Sequence, residues 1–370
     1  MTASQPQLRL ALAYVFTLLI AFLAAQAFSH IHIPLPWLTG PLLCIGILSV
    51  MNVPVVSVVM VRNLAQWAMG SALGLYFTPE ILGIISQLWW CVALAVVFSI
   101  ALGIFGAQFI TYFNRNSTSF SNREQLQATA YFSGAIGAAS EMTLLSERQR
   151  ARTDLVAASH SLRLMIVTLC IPLAVSLLDT SSAAASSPLV TQPLQVFQPQ
   201  GFALFAAITA SGVAVLHCLK FPNPWFLGPF FAAVILAVLE CNLSAMPPGA
   251  SQAAQLIIGV SLGVRFSRQF LKSAPFWALS IALLSLCLIA ISAGFAWVLS
   301  QLVDVDFASL LLATAPGGIV EMSITAKIFA LSVPVVTAFQ VTRLIAVLLL
   351  TNLVYRCVYQ PRAQESAQRA

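Results

Sequence analysis

The sequence predicts an all-α, polytopic membrane protein built from two inverted repeats. Of its 370 residues, 59% are hydrophobic and only 8% are charged, whereas soluble domains average about 25% charged residues. Apolar runs of about 18 residues or more recur along the chain, each long enough to cross a hydrocarbon core about 30 Å thick as a helix. Three sequence blocks from the first half also recur in the second. We therefore expect about ten transmembrane helices and two re-entrant or broken helices.

The repeat is carried by three blocks that keep their order along the chain. The first is a Pro-Trp-x-x-Gly-Pro motif, the second a Gln, Gly, Leu, Gly and Phe pattern, and the third an ungapped block with one glutamate and one arginine. The blocks pair 36–41 with 224–229, 66–77 with 255–266, and 136–163 with 316–343. Coincidence does not produce three ordered matches, so we expect a duplicated unit, which is how many transporters are built.

Hydropathy divides each repeat into six apolar segments. Those of the first repeat are about 8–29, 34–52, 57–77, 85–113, 127–146 and 155–178. Those of the second repeat are about 201–219, 224–243, 251–266, 274–301, 308–329 and 332–358. The resulting division is a first membrane repeat at 1–178, a linker at 179–200, a second membrane repeat at 201–358 and a tail at 359–370.

Each of the first four segments has a feature that explains it. Segment one follows Arg9 without a small-residue cleavage site, so we interpret it as a span rather than a signal peptide. Segment two opens with the proline and tryptophan of the first block, which suit a first helical turn and a membrane interface. Segment three carries Gly-x-x-x-Gly in both copies, a pattern typical of close helix packing. Segment four is long enough to cross by its length alone.

The distribution of basic residues indicates five crossings per repeat. The loop after segment three carries Glu80 in the first copy and three basic residues at 265–272 in the second, and the loop after segment four reverses this bias. Cytoplasmic loops are rich in Lys and Arg, so we interpret segment five as a re-entrant hairpin. An odd number of crossings inverts the copies. Both termini are then cytoplasmic, and the linker, which lacks Lys and Arg, is periplasmic. Six crossings and parallel copies are the alternative, although Arg148, Arg150 and Arg152 would then face outward.

Segment five contains the strongest functional signal. In the second copy, Pro316, Gly317 and Gly318 put helix breakers in the middle of an apolar segment, and Glu321 follows. Proline lacks a backbone donor, so the break frees carbonyl and amide groups that protein or a watery cavity must satisfy. The first copy has a softer break before Glu141. A charged carboxylate inside the membrane costs about 2.5 to 3.5 kcal/mol, so we expect these glutamates to pair, protonate or bind a cation.

Segment six carries one arginine in each copy, Arg163 and Arg343, 22 residues after the glutamate. Each could pair with its glutamate or receive a substrate carboxylate, and a buried Glu–Arg pair that only fixes segment five against segment six stays open. His160 lies one turn before Arg163 and is a candidate proton carrier, although its counterpart is Gln340. The candidate substrate- and ion-binding residues are Glu321, Glu141, Arg343, Arg163, Gly317, Gly318 and Pro316.

Other function classes find no support in the sequence. Seven scattered cysteines without Cys-x-x-Cys predict neither disulfides nor a metal knuckle, and we expect no metal centre or cofactor. No Gly-x-Ser-x-Gly, Cys-His arrangement or phosphate loop is present, so we do not expect an enzyme. The net charge of +6 comes without the basic groove or stripe of a nucleic-acid-binding protein and is better explained by membrane orientation.

With its two Pro-Trp-x-x-Gly-Pro motifs, the 316–322 block and the paired Arg163 and Arg343, the chain resembles the bacterial AbrB-type membrane family. The resemblance covers nearly the whole chain, and the family is distinct from the small DNA-binding regulator of the same name. It implies a duplicated AbrB unit and a membrane regulator of gene expression, and some members carry an ammonia monooxygenase label. Copper or di-iron oxidation needs several converging His and carboxylate ligands, so that label finds no support here. The first copy has Ile-Gly-Ala at 136–138 instead of Pro-Gly-Gly, which weakens the case for Glu141.

We therefore expect a bacterial inner-membrane secondary transporter that carries a small anionic metabolite coupled to H⁺ or Na⁺. The glutamates would hold the coupling ion, the arginines would favour the anion, and the glycine break would leave a half-helix end facing the ligand. The alternative is a membrane-bound regulator that acts on gene expression indirectly, through a metabolite or through a protein partner at the loop 114–125. The expected partners are a small molecule or ion and the lipid bilayer, not nucleic acid, and a homo-oligomer stays open.

Overall fold

The fold is helical throughout the part of the chain that the computed structural model describes. That part comprises residues 4–116, 120, 122–178, 197–241, 243–266 and 274–359. These residues form fifteen helices and no strand. The predicted linker at 179–200 and the predicted tail at 359–370 fall for the most part outside the described residues, although a helix already begins at Pro199.

The helices are numbered here in chain order. The first half contains α1 (Ser4–His30), α2 (Pro36–Val50), α3 (Val59–Gly74), α4 (Pro79–Gln87), α5 (Trp89–Phe113), α6 (Arg123–Gly134), α7 (Ala139–Arg148) and α8 (Thr153–Ser176). The second half contains α9 (Pro199–Cys218), α10 (Pro224–Val238), α11 (Ala250–Gly263), α12 (Pro275–Ser300), α13 (Phe307–Thr314), α14 (Ile319–Ile328) and α15 (Val333–Val358).

These helices follow the predicted apolar segments with one difference, the short helix α4, which is not predicted. Segment five of each half divides into two short helices, α6 with α7 and α13 with α14, in agreement with the predicted break. Proline occupies the first turn of α2, α9, α10 and α12, where a missing N–H costs no intrahelical bond. The side chains of Asn122 and Asp306 begin α6 and α13, because each accepts a hydrogen bond from an amide of the first turn.

Within the described residues, six helices are long and apolar enough to cross a membrane: α1, α5, α8, α9, α12 and α15. The pair α3 and α4 passes the same test together but is bent by 86°. Helices α2, α10 and α11 are apolar but have only 15, 15 and 14 residues, so each is about 21 to 23 Å long against a hydrocarbon core of about 30 Å. The chain is thus a multi-pass membrane protein, and the total of about ten crossings stays a prediction.

One compact unit comprises residues 1–87, 168–268 and 320–337. Within it, α1, α2 and α11 share an apolar cluster whose buried members are Ala21, Ile45, Leu256 and Val260. Helices α9 and α10 and the C-terminal end of α3 share a second cluster, whose buried members are Leu75, Phe205, Ala233 and Leu236. Each cluster therefore joins the first two helices of one half of the chain to the third helix of the other half.

Glycines let the backbones of this unit approach each other closely. A Cβ built at Gly70 of α3 would collide with the carbonyl oxygen of Phe226 in α10. A Cβ at Gly259 of α11 would lie 2.5 Å from the carbonyl oxygen of Leu38 in α2. The close packing expected of the Gly-x-x-x-Gly helices is confirmed, and the contact partner of each is the Pro-Trp helix of the other half.

The other compact unit comprises residues 88–167, 269–319 and 338–370. Its long helices α5 and α12 meet through the stacked rings of Phe98 and Phe295, whose centroids are 3.9 Å apart. Helix α6 packs against α5 through Gly134, where a Cβ would lie 2.7 Å from the amide nitrogen of Ala107. Helix α13 packs against α12 in the same unit. The two short helices are thus each supported by a long helix of their own half.

Replacing either close-packed glycine with alanine should destabilise the first unit. Gly70→Ala and Gly259→Ala press a methyl group against a backbone carbonyl, and overpacking of this kind costs about 1 to 3 kcal/mol. We expect both variants to melt below the wild type in detergent, followed by intrinsic fluorescence. Gly294→Ala is the matched control, because nothing lies within 4 Å of a Cβ built at this position. Equal melting temperatures for Gly70→Ala and the control would contradict tight packing at this contact.

Candidate functional site

Both segment-five helices are broken at corresponding places. Helix α6 ends at Gly134 and α7 begins at Ala139, while α13 ends at Thr314 and α14 begins at Ile319. The residue after each first half-helix leaves the helical conformation in the same way, with ψ of 137° in one half and 142° in the other. Each helix is therefore broken where the sequence predicts it, whereas re-entry of the broken pair into the membrane stays a prediction.

Arg163 of α8 satisfies the end of the first half-helix. Only 3% of its surface is exposed. Its Nη1 donates to the carbonyl oxygens of Ser133 and Gly134 at 3.2 and 3.3 Å, and its Nη2 donates to that of Ala135 at 3.0 Å. These carbonyls belong to the C-terminal end of α6, where backbone acceptors lack an intrahelical partner and form the negative end of the helix dipole. The guanidinium therefore pairs with backbone that an apolar interior would otherwise leave unsatisfied.

Arg343 of α15 occupies the corresponding place at the second break and is 5% exposed. Its Nη1 donates to the carbonyl oxygen of Ala315, and its Nη2 donates to that of Gly317 at 2.9 Å. Pro316 between them has no amide to donate. Gly318 is the last residue before α14. The three predicted breakers therefore form the break itself, and their part in binding a substrate stays a prediction.

His160 lies one helical turn before Arg163 and is bonded to it. Its Nδ1 accepts a hydrogen bond from Arg163 Nη2 at 2.8 Å, and its Nε2 lies 2.9 Å from the carbonyl oxygen of Phe132. The guanidinium can only donate and the carbonyl can only accept, so the neutral ring carries its proton on Nε2. Both ring nitrogens are engaged in this arrangement, and proton transfer by His160 stays a prediction.

Gln340 makes the equivalent bonds in the second half. Its Oε1 accepts from Arg343 Nη2, and its Nε2 donates to the carbonyl oxygens of Leu312 and Ala315 at 2.7 and 3.2 Å. The offset that relates the two arginines also relates Gln340 to His160 and Leu312 to the first half's acceptor carbonyl. A histidine in the first half and a glutamine in the second half thus occupy structurally equivalent positions.

The two glutamates do not pair with these arginines. In the described part of the chain, neither Glu141 nor Glu321 has an arginine nitrogen within 4.0 Å of its carboxylate. Each glutamate is the third residue of a short helix, α7 or α14, where the positive end of the helix dipole favours a carboxylate. Glu321 is 7% exposed, whereas Glu141 is partly exposed. Their binding of a proton or Na⁺ stays a prediction.

Arg265 is a charged neighbour of Glu321 that the sequence places only in a basic loop. It follows α11 within the same compact unit as Glu321, and its charge acts on the Glu321 carboxylate and on Arg62. Arg265 is itself exposed. No periodicity or motif joins Arg265 to Glu321, because they stand 56 residues apart, one in the turn after α11 and the other on α14. Sequence reasoning therefore gives no signal for this proximity.

Acidic groups do not compensate the charges of Arg163 and Arg343. The two arginines lie in one unit and influence each other electrostatically. Among the described residues, neither has an acidic oxygen within 4.0 Å, and the Nε of each lacks a hydrogen-bond partner. The same residues include no group of three or more His, Cys, Asp or Glu side chains that could hold a metal ion. Positive charge with unused donors is chemistry that suits an anion.

Comparisons with known proteins place the chain among long membrane-type proteins. A family model described as "Transition state regulatory protein AbrB" matches residues 37–359. The chain is 25% identical over 319 residues to "Uncharacterized protein YhjN" of Bacillus subtilis (strain 168), covering 83% of this chain and 81% of that protein. It is 25% identical over 348 residues to "Putative regulator AbrB" of Escherichia coli (strain K12), covering 93% and 96%. No solved structure matches the chain. The resemblance found in the sequence is confirmed.

Removing the second arginine should destabilise the protein strongly. Arg343→Lys keeps the charge but cannot reach two carbonyls and Gln340 at once, and hydrogen bonds to charged groups contribute about 1.5 to 3 kcal/mol each. We expect a markedly lower melting temperature in detergent than that of the wild type. Arg356→Lys is the control, since Arg356 is exposed in the last turn of the same helix. Wild-type stability of Arg343→Lys would show that the carbonyl bonds contribute little.

Proposed function

The chain belongs to the AbrB family, and from this premise we propose that it is a secondary transporter of the bacterial inner membrane that carries a small anionic metabolite coupled to H⁺ or Na⁺. The observation that carries the proposal is the pair of buried arginines that bond to backbone carbonyls at the two helix breaks rather than to acids. The proposal involves no enzymatic step.

The charge at the two breaks favours an anion over a cation or a neutral substrate. A helix C-terminus contributes about half a negative charge, so each arginine keeps about half of its positive charge after bonding to the helix end. An arginine has five N–H donors. Bonds to the described residues occupy four of them on Arg163 and three on Arg343. The second half therefore has more donors left for a carboxylate.

The coupling ion is assigned to the glutamates. Glu321 is buried and has no arginine within ion-pair distance among the described residues. Burying an ionised carboxylate in that setting is energetically unfavourable, and binding a proton or Na⁺ removes much of this unfavourable free energy. Glu141 occupies the corresponding place on α7 but is more exposed, so we assign the larger contribution to Glu321.

The proposed architecture is two inverted repeats with both termini in the cytoplasm. Ten crossings result when α2, α3, α10 and α11 cross together with the six long helices, five in each half. The exchanged packing of the Gly-x-x-x-Gly and Pro-Trp helices supports a relation between the halves, because the same contact occurs twice with the halves interchanged. An odd number of crossings in each half would invert one half against the other.

A membrane-bound regulator is the second candidate function. The family description and the printed name of the Escherichia coli relative both refer to regulation. A carrier that removes or admits an inducing metabolite would alter gene expression without contacting DNA. A regulator without transport would instead need a protein partner, for which we propose the predicted loop 114–125. Its last three residues belong to α6, and residues 117–119 and 121 lie outside the described part of the chain. The two functions therefore differ in whether Glu321 is needed.

Neutralising the buried glutamate should abolish coupled transport. We expect the purified protein in lipid vesicles to accumulate at least one member of a panel of radiolabelled mono- and dicarboxylates under an imposed pH or Na⁺ gradient. Glu321→Gln should lose this accumulation, because an amide cannot take up a proton and no longer carries the charge that binds Na⁺. Glu80→Gln, at an exposed position of α4, should keep it.

Scrambling residues 115–121 of this loop, which spares Asn114 and the Asn122 cap of α6, separates the two candidate functions. If scrambling changes target-gene expression while Glu321→Gln changes neither expression nor flux, the regulator is supported and the carrier is rejected. The carrier is supported if Glu321→Gln abolishes the control of expression while scrambling the loop leaves expression unchanged.

Reporter fusions test the inverted architecture directly. A fusion in the linker near residue 190 and a second fusion after residue 369 should report opposite sides of the membrane, since five crossings separate them in the proposed topology. A matched pair of fusions after residues 9 and 369 should report the same, cytoplasmic side. Linker and C-terminal fusions on one side would indicate parallel copies and would remove the support that inversion gives to the carrier.

A further inference from the structure

His160 and Gln340 have no side-chain chemistry in common except the hydrogen bonds they make. Both are buried, at 1% and 0% exposure. Each accepts a hydrogen bond from the Nη2 of the arginine three residues later, and each donates to a backbone carbonyl of the first half-helix. One side chain is an aromatic ring that can be protonated and the other is a neutral amide. The shared property is therefore one acceptor and one donor held at the right separation.

This pairing decides where the guanidinium can lie. An arginine side chain has several rotatable bonds, and burial without fixed partners would leave some of its N–H donors unpaired, which is destabilising. The acceptor atom of residue 160 or 340 fixes one edge of the guanidinium, while the helix-end carbonyls fix another. The donor atom anchors the same side chain to Phe132 or Leu312 of the half-helix. Arginine, partner and half-helix thus form a closed set of hydrogen bonds.

We infer that His160 and Gln340 are interchangeable positioning residues, which hold Arg163 and Arg343 on the ends of the broken helices. Leucine at either position would fill a similar volume but provide neither acceptor nor donor. Glutamine at 160 and histidine at 340 would provide both. Held in this way, each arginine keeps a fixed charge at its break, and this last step rests on the proposed binding of an anion.

Hydrogen–deuterium exchange tests the positioning without any substrate. The amide of Ala315 bonds to the carbonyl of Leu311 at the end of α13, so loosening this end should speed exchange in peptides that cover 311–318. We expect Gln340→Leu, which removes all three hydrogen bonds of this side chain, to raise that rate about tenfold or more. Gln340→His should stay within about threefold of the wild type. His160→Leu and His160→Gln should behave likewise for peptides covering 131–138.

Gln255→Leu is the matched control, because it places leucine at another buried glutamine that belongs to the other compact unit. It should leave exchange at 311–318 unchanged. If a leucine variant fails to fold, folded protein obtained with the swap at the same position, Gln340→His or His160→Gln, still supports the inference. Swaps that are as damaging as leucine, or leucine variants with wild-type exchange at both breaks, overturn it.

Transport kinetics then separate positioning from general stability. In vesicles, Gln340→Leu should raise the KM for a transported carboxylate about tenfold while the maximal rate per folded molecule falls less than threefold, and Gln340→His should restore the KM. An unchanged KM with a lowered rate overturns the link to the anion. If the wild type transports none of the carboxylates, the proposed function fails while the exchange experiment still decides the positioning role.

Discussion

The hydrogen bonds from a buried arginine to the end of a half-helix are the interaction on which the region around the two broken helices depends. A helix that stops inside an apolar layer exposes carbonyls that lipid cannot satisfy. Arg163 and Arg343 satisfy them from the following long helix. In return, the negative helix end and several carbonyl dipoles offset the desolvation of the guanidinium. The break and the buried charge therefore stabilise each other.

The two breaks show which part of this arrangement the sequence could predict. Pro316 and the two glycines that follow it predict a helix break, and the structure has a break at these residues. The first half has Ile136 instead of proline and breaks in the same way. Proline is therefore not the common cause, and what both halves share is the glycine at 137 and 317 together with the arginine bonds. A search for helix breakers alone would rank the first half too low.

The hydrogen-bond acceptors of the arginines cannot be predicted from the sequence, for a physical reason. A carboxylate and a helix-end carbonyl are both acceptors, and only the fold decides which one lies in reach. Glu321 stands at a fixed spacing before Arg343 and is the obvious partner by charge, yet the bonds go to backbone at Ala315 and Gly317. Every residue has a backbone carbonyl, so no sequence pattern shows which carbonyls will accept these bonds. The equivalence of His160 and Gln340 is hidden for the same reason, since it exists only as a bonding pattern.

The packing of the first unit has the same limit. The Gly-x-x-x-Gly motifs that begin at Gly70 and Gly259 predict close helix contacts, and these contacts are present. The partner helices belong to opposite halves of the chain, and nothing in a Gly-x-x-x-Gly motif names its partner. Since each apolar cluster takes helices from both halves, neither half could bury these surfaces alone. The first unit is therefore a joint product of the two halves rather than a pair of separate modules.

Structural and functional interpretations of the arginines are compatible for an electrostatic reason. A glutamate partner would cancel the whole charge of a guanidinium and leave a neutral pair that only joins two helices. A helix end cancels about half of it. Bonding to carbonyls thus fixes Arg163 and Arg343 in place and still leaves positive potential and an unused Nε donor on each. The same bonds that stabilise the breaks therefore leave the positive charge that the proposed binding of an anion requires.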